Sequence, residues 1–287
     1  MKSRSIIPSV NFHLWEPCNM RCKFCFATFQ DVKKQILPKG HLPKEDAINV
    51  IERIAEFGFE KITFAGGEPT LCPWLPELIQ TAKERGMTTM IVTNGTQLTN
   101  GFLKQMSYNL DWIALSIDSL ASECNLTSGR AITGKKPIEE SVYMELINRI
   151  KLANIRLKIN TVVHTHNFSE DMNDFITTAD PLRWKVLQVL PIDGQNSKSV
   201  DPFLINEDQF ESFLKIHQKQ KSLIPESNRD IKGSYVMIDP AGRFFQNIEN
   251  QYRYSEPILL NGIYSAYNEM NYKIELFQKR GGIYEWK

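Results

Sequence analysis

The sequence predicts an α/β protein, a partial (β/α)6 TIM-like barrel followed by an α+β C-terminal extension. Three observations carry that prediction. Up to residue 190, short β-branched or aromatic runs alternate with stretches of helical periodicity. Beyond residue 190 this rhythm stops. The composition is that of a folded globular chain, 287 residues with 42% hydrophobic and 23% charged, long enough for a full core without disulfide staples.

The elements follow in order. "SVNFHLW" (9–15) reads as the first strand. "KEDAINVIERIAEFG" (44–58) has apolar residues at helical spacing and stops at Gly58. "KITFAGG" (61–67) is the second strand, and "LPELIQTAKERG" (75–86) a helix ending at Gly86. "TTMIVTNG" (88–95) is a strand and 99–108 a short helix. "LDWIALSID" (110–118) is a strand, 138–154 a helix and "RLKINTVV" (156–163) a strand. "SEDMNDFITTA" (169–179) is a helix with Ser169 as its cap, and "RWKVLQVL" (183–190) is the sixth strand. Alternation of this kind implies right-handed crossovers and a parallel sheet. Residues 1–190 are therefore assigned to the barrel. Residues 191–287 are assigned to an extension that closes over the substrate, with a helix at 206–220, a strand pair around 234–247 and an amphipathic stretch at 264–279.

Net charge is +1, which gives no global case for binding nucleic acid or an anionic membrane. Residues 1–40 are locally basic, with Lys2, Arg4, Arg21, Lys23, Lys33, Lys34 and Lys39 against Glu16 and Asp31. No apolar run reaches the roughly 20 residues of a membrane helix, and the N-terminus has no signal-peptide pattern. The expected location is the cytoplasm, where clustered thiols favour metal or redox chemistry over disulfides.

Three of the five cysteines form a Cys-x3-Cys-x2-Cys cluster in "EPCNMRCKFCF", just after the first strand. In a barrel, reacting groups lie on loops after strand C-termini. Cys18, Cys22 and Cys25 could be small buried hydrophobes, although that leaves their spacing unexplained. With His13 they could hold zinc, although structural zinc sites draw on two separated ligand pairs and no second pair exists. Three thiolates on a [4Fe–4S] cluster fit better, because the uncoordinated iron is then open to a small molecule. Cys72 and Cys124 are isolated, Cys124 in a loop, and are read as space-fillers.

This spacing, with Phe24 before the last cysteine, resembles the radical S-adenosylmethionine (SAM) superfamily. The resemblance implies a radical SAM barrel, a [4Fe–4S] cluster and SAM cleaved to a 5′-deoxyadenosyl radical. Cys18, Cys22 and Cys25 would hold the cluster, and Phe24 would lie beside the cofactors. Gly66, Gly67 and Glu68 of "TFAGGEPTL" would contact the SAM amino group. Asn94 of "VTNG", Ser116 of "ALSID" and Arg130 of "TSGR" would hold its ribose and carboxylate.

Further segments resemble the viperin family of antiviral radical SAM enzymes. They are "NFHLWEPCNMRCKFCF", "EKITFAGGEP", "RLKINTVV", "PLRWKVLQVLPIDGQN", "LIPESNRDIKGSYVMIDPAGRFFQN" and "LFQKRGGIYEWK". The likeness runs from about residue 9 to the end and points to a prokaryotic-type member. The departures are the lack of the amphipathic membrane-binding helix of animal viperins, Ala27 for a histidine and Ala65 for a serine near the expected phosphates. The resemblance implies dehydration of a ribonucleoside triphosphate, CTP or UTP, to the 3′-deoxy-3′,4′-didehydro chain terminator, for defence against phage. It also implies an electron donor such as a flavodoxin or ferredoxin. Lys61, Lys158, Arg183 and Lys185, at or within the barrel mouth, are the expected phosphate partners, with Asn11, Arg253, Lys279 and Arg280 as further substrate contacts. Lys158, as acid to the departing hydroxyl, and Tyr235 are the catalytic candidates. The alternatives are a radical SAM maturase acting on peptide or RNA and a zinc-binding module.

Overall fold

The computed structural model describes residues 7–287; Lys2 and Arg4 of the basic N-terminal segment lie outside the described residues. Ten strands form one sheet: β1 (Ser9–Trp15), β2 (Lys61–Gly66), β3 (Thr88–Thr93), β4 (Trp112–Ser116), β5 (Arg156–Val163), β6 (Arg183–Gln188), β7 (Leu223–Glu226), β8 (Val236–Ile238), β9 (Arg243–Ile248) and β10 (Gln251–Pro257). Their order is β10-β9-β8-β1-β2-β3-β4-β5-β6-β7. All neighbours from β8 through to β7 run parallel, and β9 and β10 are added antiparallel.

The six expected strand–helix units are present. Helices at Lys44–Phe57, Leu75–Glu84, Asn100–Met106, Glu140–Leu152, Asn173–Ala179 and Glu207–Ile216 follow β1 to β6 in turn. Each lays an apolar stripe on the sheet; Leu75, Leu78, Ile79 and Ala82 are spaced for one face and all are buried. The last of these helices and β7 lie beyond residue 190, so the C-terminal segment extends the same sheet at both edges. Among the described residues no helix is long and apolar enough to cross a membrane.

Local differences from the sequence reading have local causes. The helix expected from Ser169 starts at Asn173, where Asp171 Oδ1 accepts the Asn173 N–H at 2.9 Å and ends the loop. Cys124 is buried on a short helix (Ser122–Ser128) and not in a loop. The amphipathic stretch at 264–279 is two short helices, Ile263–Asn268 and Ile274–Lys279.

The last residues cross the barrel floor, at the N-terminal ends of the strands. Lys61 of β2 donates to Tyr284 Oη, the indole N–H of Trp112 in β4 donates to the Trp286 carbonyl at 3.0 Å, and Arg183 of β6 donates to the Gly281 carbonyl at 2.9 Å. Trp286 is 7% exposed and meets Tyr284 edge-on at 5.4 Å. The substitution W286A should lower stability by about 3 kcal/mol, read as a shifted urea midpoint with an unchanged slope.

Candidate functional site

One cavity runs through the barrel from the mouth, where the strands end, to the floor closed by the C-terminal residues. Its mouth is built by the cysteine loop. Residues 128–133 hold one side of that loop: Arg21 N–H donates to the Gly129 carbonyl at 3.1 Å, Lys23 N–H to Ser128 at 2.9 Å, and Thr133 N–H to Asn19 at 2.7 Å. Residues 195–199 hold the other. Asn196 Nδ2 donates to the Phe24 carbonyl at 3.0 Å, Ser199 Oγ to that of Lys23 at 2.6 Å, and Thr28 Oγ1 to Gln195 Oε1 at 2.7 Å.

The Gly66-Gly67 pair serves this same loop. A Cβ at Gly66 would stand 2.3 Å from the Trp15 carbonyl oxygen, and one at Gly67 would stand 2.1 Å from that of Glu16 and 2.6 Å from that of Pro17. The close approach expected of the glycines is thus made to the backbone leading into Cys18. Glu68 is buried; Thr93 Oγ1 at 2.6 Å, Asn94 N–H at 2.8 Å and Thr70 N–H at 3.1 Å donate to its carboxylate. Asn94 Nδ2 donates to Asn19 Oδ1 at 2.8 Å, so the end of β3 is tied to the cysteine loop. Arg130 Nε donates to buried Asp118 at 2.5 Å, and its guanidinium lies 5.7 Å from the Phe24 ring centre. Ser116, Phe24 and Asn11 line the cavity.

The other pole of the cavity is cationic. Lys61, Lys158, Arg183, Lys185 and Arg280 line it, with Glu226 as a buried carboxylate beside them. Lys185 Nζ pairs with Glu226 at 2.5 Å and donates to Tyr235 Oη at 2.5 Å; Tyr235 in turn donates to Glu226 at 2.5 Å. Arg280 pairs with Glu226 at 3.2 Å and stacks 3.6 Å above the Tyr235 ring. Arg183 lies 4.0 Å over the Tyr284 ring, and its Nε is buried without a partner. Burial, reinforced by neighbouring cations, holds the Lys61 and Lys158 ammonium groups well below the ordinary lysine range. Burial also lowers Lys185 to about 8, Glu226 opposing the fall. Burial works against ionising Glu226, yet Lys185 and Arg280 outweigh it and hold that carboxyl at about 2.

The expected site residues divide accordingly. Cys18, Cys22, Cys25, Phe24, Gly66, Gly67, Glu68, Asn94, Ser116 and Arg130 meet at the mouth. Lys61, Lys158, Arg183, Lys185, Tyr235 and Arg280 meet deeper in the cavity. Two residues are corrected: Arg253 and Lys279 are exposed and do not line the cavity. Strand alternation turns Tyr252 toward the cavity and Arg253 away from it, and Lys279 is on the outer side of its short helix. The cations also lie toward the floor and not at the mouth, since Lys61 and Arg183 begin their strands. Ala65, four residues beyond Lys61 on β2 and so about 13 Å along the strand, lies toward the cysteines and away from the expected phosphates.

Sequence reasoning missed Glu226, because "LIPE" is short and carries a proline, and so did not read as a strand. It also missed Tyr284 and Asn247. Asn247 lines the cavity with both amide atoms buried and unpartnered, and nothing in its sequence neighbourhood marks it.

The α/β barrel and its three-cysteine mouth define a class, the radical SAM enzymes, and the profile described as "Radical SAM superfamily" matches residues 15–179. Solved structures share the fold. Native anSMEcpe with bound AdoMet and Kp18Cys peptide aligns with a TM-score of 0.70 at 16% identity, covering 96% of this chain and 84% of that one. Streptococcus suis SuiB bound to precursor peptide SuiA aligns with a TM-score of 0.66 at 15% identity, covering 94% and 66%. Closer relatives carry one name. The S-adenosylmethionine-dependent nucleotide dehydratase of Flammeovirga pacifica is 55% identical over 100% of this chain and 99% of its own length. That of Lacinutrix mariniflava is 58% identical over 98% of this chain, which spans 59% of its length. The RSAD2 enzyme of the same name from Oncorhynchus mykiss is 35% identical over 97% of this chain and 80% of its own. This chain belongs to the family of S-adenosylmethionine-dependent nucleotide dehydratases.

Radical SAM enzymes use a [4Fe–4S] cluster and SAM, and the residues here fit that pair. The three cysteines are free thiols around one cavity mouth. Burial pushes Cys18 up to about 11 and Cys22 to about 12, so each stays protonated until a metal claims its sulfur. Among the described residues no three His, Cys, Asp or Glu side chains converge on a single metal ion. His13, weighed as a fourth zinc ligand, is packed edge-on against Phe29 at 5.3 Å and Phe245 at 5.5 Å. The name shared by the closer relatives, and not the ligand geometry, sets the zinc-module alternative aside. Because a Cβ at position 67 would push Glu16 and Pro17, and with them the cysteine loop, G67A should cut iron and sulfide content after anaerobic reconstitution to less than half the wild-type level.

Proposed function

We propose that this chain removes water from the ribose of a nucleoside triphosphate, CTP or UTP, giving the 3′-deoxy-3′,4′-didehydro analogue that terminates viral RNA chains. The reading rests on one observation: five cationic side chains line the floor of a cavity, the buried Glu226 beside them pairs with two, and the cavity's other pole carries the three cysteines. A polyanionic triphosphate suits that floor, because buried cations without partners are costly and a phosphate chain satisfies them. The names of the relatives support the same reaction class.

When bound at the mouth, the cluster and SAM supply a radical able to take a hydrogen atom from the sugar. The chain's own residues do the rest. Lys61, Arg183, Lys185 and Arg280 bind the phosphates and so set the ribose between floor and mouth. Lys158 has no hydrogen-bond partner among the described residues, and burial, with Lys185 and Lys61 nearby, holds it well below the ordinary lysine range. An arriving phosphate chain adds negative charge beside it and restores the ammonium form. Lys158 then gives that proton to the departing 3′-hydroxyl, which leaves as water. Tyr235, fixed between Lys185, Glu226 and Arg280, braces the phosphate partners. Tyr284 and Trp286 keep bulk water from the floor. A flavodoxin or ferredoxin in a reducing cytoplasm supplies two electrons per turnover: one enters through the cofactors to start the reaction, and one reduces the sugar after the hydrogen atom and the 3′-hydroxyl have left, so that the C3′–C4′ double bond closes.

The test is anaerobic incubation of reconstituted protein with SAM, dithionite and each of CTP, UTP, GTP and ATP. The expected products are 5′-deoxyadenosine and, with one pyrimidine nucleotide, a triphosphate lighter by one water. No 5′-deoxyadenosine with any of the four would overturn the proposal. The substitution K158Q should lower kcat by roughly a hundredfold with a much smaller change in KM; a change confined to KM would remove the acid role.

A further inference from the structure

The segments that build the cysteine mouth carry a charge pattern that the dehydration reaction does not use. Residues 19–26, 128–138 and 194–200 together hold Arg21, Lys23, Arg130, Lys135, Lys136 and Lys198, and no aspartate or glutamate. Arg130 is half-buried and pairs with the buried Asp118. The other five are exposed. Lys23, Lys135, Lys136 and Lys198 make no ion pair among the described residues. The chain as a whole is +1, so this face departs sharply from the average.

The backbone contacts bring these residues together around one loop. Lys23 sits between Cys22 and Cys25, bonded through its own backbone to Ser128 on one side and Ser199 on the other. Lys198 immediately precedes Ser199. Lys135 and Lys136 belong to the turn that bridges to Met20 through Ile132. Carboxylates flank the face at Glu123, Glu139, Asp193 and Asp201 without entering it, and Glu139 accepts a bond from Ser122 at 2.9 Å.

We propose that this basic face is the docking surface for an acidic one-electron donor protein of the flavodoxin class. The inference rests on the dehydratase reading, in which the cluster must be reduced from outside. Arg21 and Lys23 belong to the cysteine loop itself, and Lys135, Lys136 and Lys198 to the segments bonded to it, so a donor seated on this face lies against the loop that carries the thiolates. Its flavin is then oxidised by one electron and the cluster reduced by one. Complementary charge steers the encounter and orients the flavin, and its effect weakens as salt rises. RNA or an anionic membrane would also meet positive charge. The face is confined to the ring around the loop, however, and shows no exposed aromatic among its residues on which a base could stack.

The test uses the full chain, reconstituted anaerobically, and the charge-reversal variant K135E/K136E/K198E, with K135Q/K136Q/K198Q as its milder companion. None of these lysines lines the cavity. Binding of a reduced bacterial flavodoxin is titrated at low and high salt, and turnover is measured with that flavodoxin and separately with dithionite. The expected result is at least tenfold weaker binding and flavodoxin-driven turnover for the reversal variant at low salt, a smaller loss for the glutamine variant and convergence with wild type at high salt. Dithionite-driven turnover should stay within twofold of wild type. Binding unchanged within twofold would overturn the docking surface. So would an equal fall with dithionite, or tighter lysine-dependent binding of single-stranded RNA or phosphatidylserine vesicles than of flavodoxin. Wild-type protein that binds flavodoxin through these lysines but releases no 5′-deoxyadenosine under dithionite would sink the dehydratase reading and leave the docking surface standing.

Discussion

The buried Glu226 carboxylate is the constraint on which the site depends. It is the anion that meets both Lys185 and Arg280, and it also accepts from Tyr235. Glu226 ends β7 at one edge of the parallel run, whereas Tyr235 leads into β8 at the other. Of these contacts the bond from Tyr235 joins the two edges, while the two ion pairs gather positive charge beside it. Removing one member of such a network leaves a buried charge uncompensated, at a cost of about 3–5 kcal/mol. Because the Glu226 carboxyl is held at about 2, below its unfolded value, its contribution is present above the ordinary carboxylate range. It is lost only as pH falls toward 2.

From that floor the barrel works as a measuring device. Cations gather toward one pole and cysteines lie at the other, with the parallel strands as rigid spacers between them. The mouth is specified by backbone as much as by side chains. Gly66 and Gly67 admit residues 15–17 at distances no Cβ allows, and Gly129, at a φ of +77°, does the same for Arg21. Asn94 and Asn196 then latch the loop from two sides. A metal group with an open position needs such a frame, because ligands that drift would close the vacancy or lose an iron.

The six strands, their helices, the three cysteines, Gly66-Gly67 and Asn94 could be read from the chain directly, whereas Asn19, Gly129 and Asn196 could not. Their signals are local: hydrophobic period, a three-cysteine spacing, glycines at a strand end. Lys61, Lys158, Arg183 and Lys185 were also legible, since a cation inside a strand of valine, leucine and isoleucine is uncomfortable without a function. Arg253 and Lys279 were legible only as positive charge, and charge alone does not say which way a side chain points.

By itself the sequence determined the parallel α/β architecture, the identity of the thiolates and the presence of buried cations, because periodicity and spacing are properties of neighbours along the chain. Only the tertiary structure decided that "LIPE" would be an edge strand carrying the anion of the site, that the last residues would seal the floor, and that Asn247 would face the cavity unpartnered. Those facts depend on which distant segments meet. Such meetings are set by sheet closure and charge compensation across more than a hundred residues, as between Lys61 and Tyr284, and no local pattern encodes them.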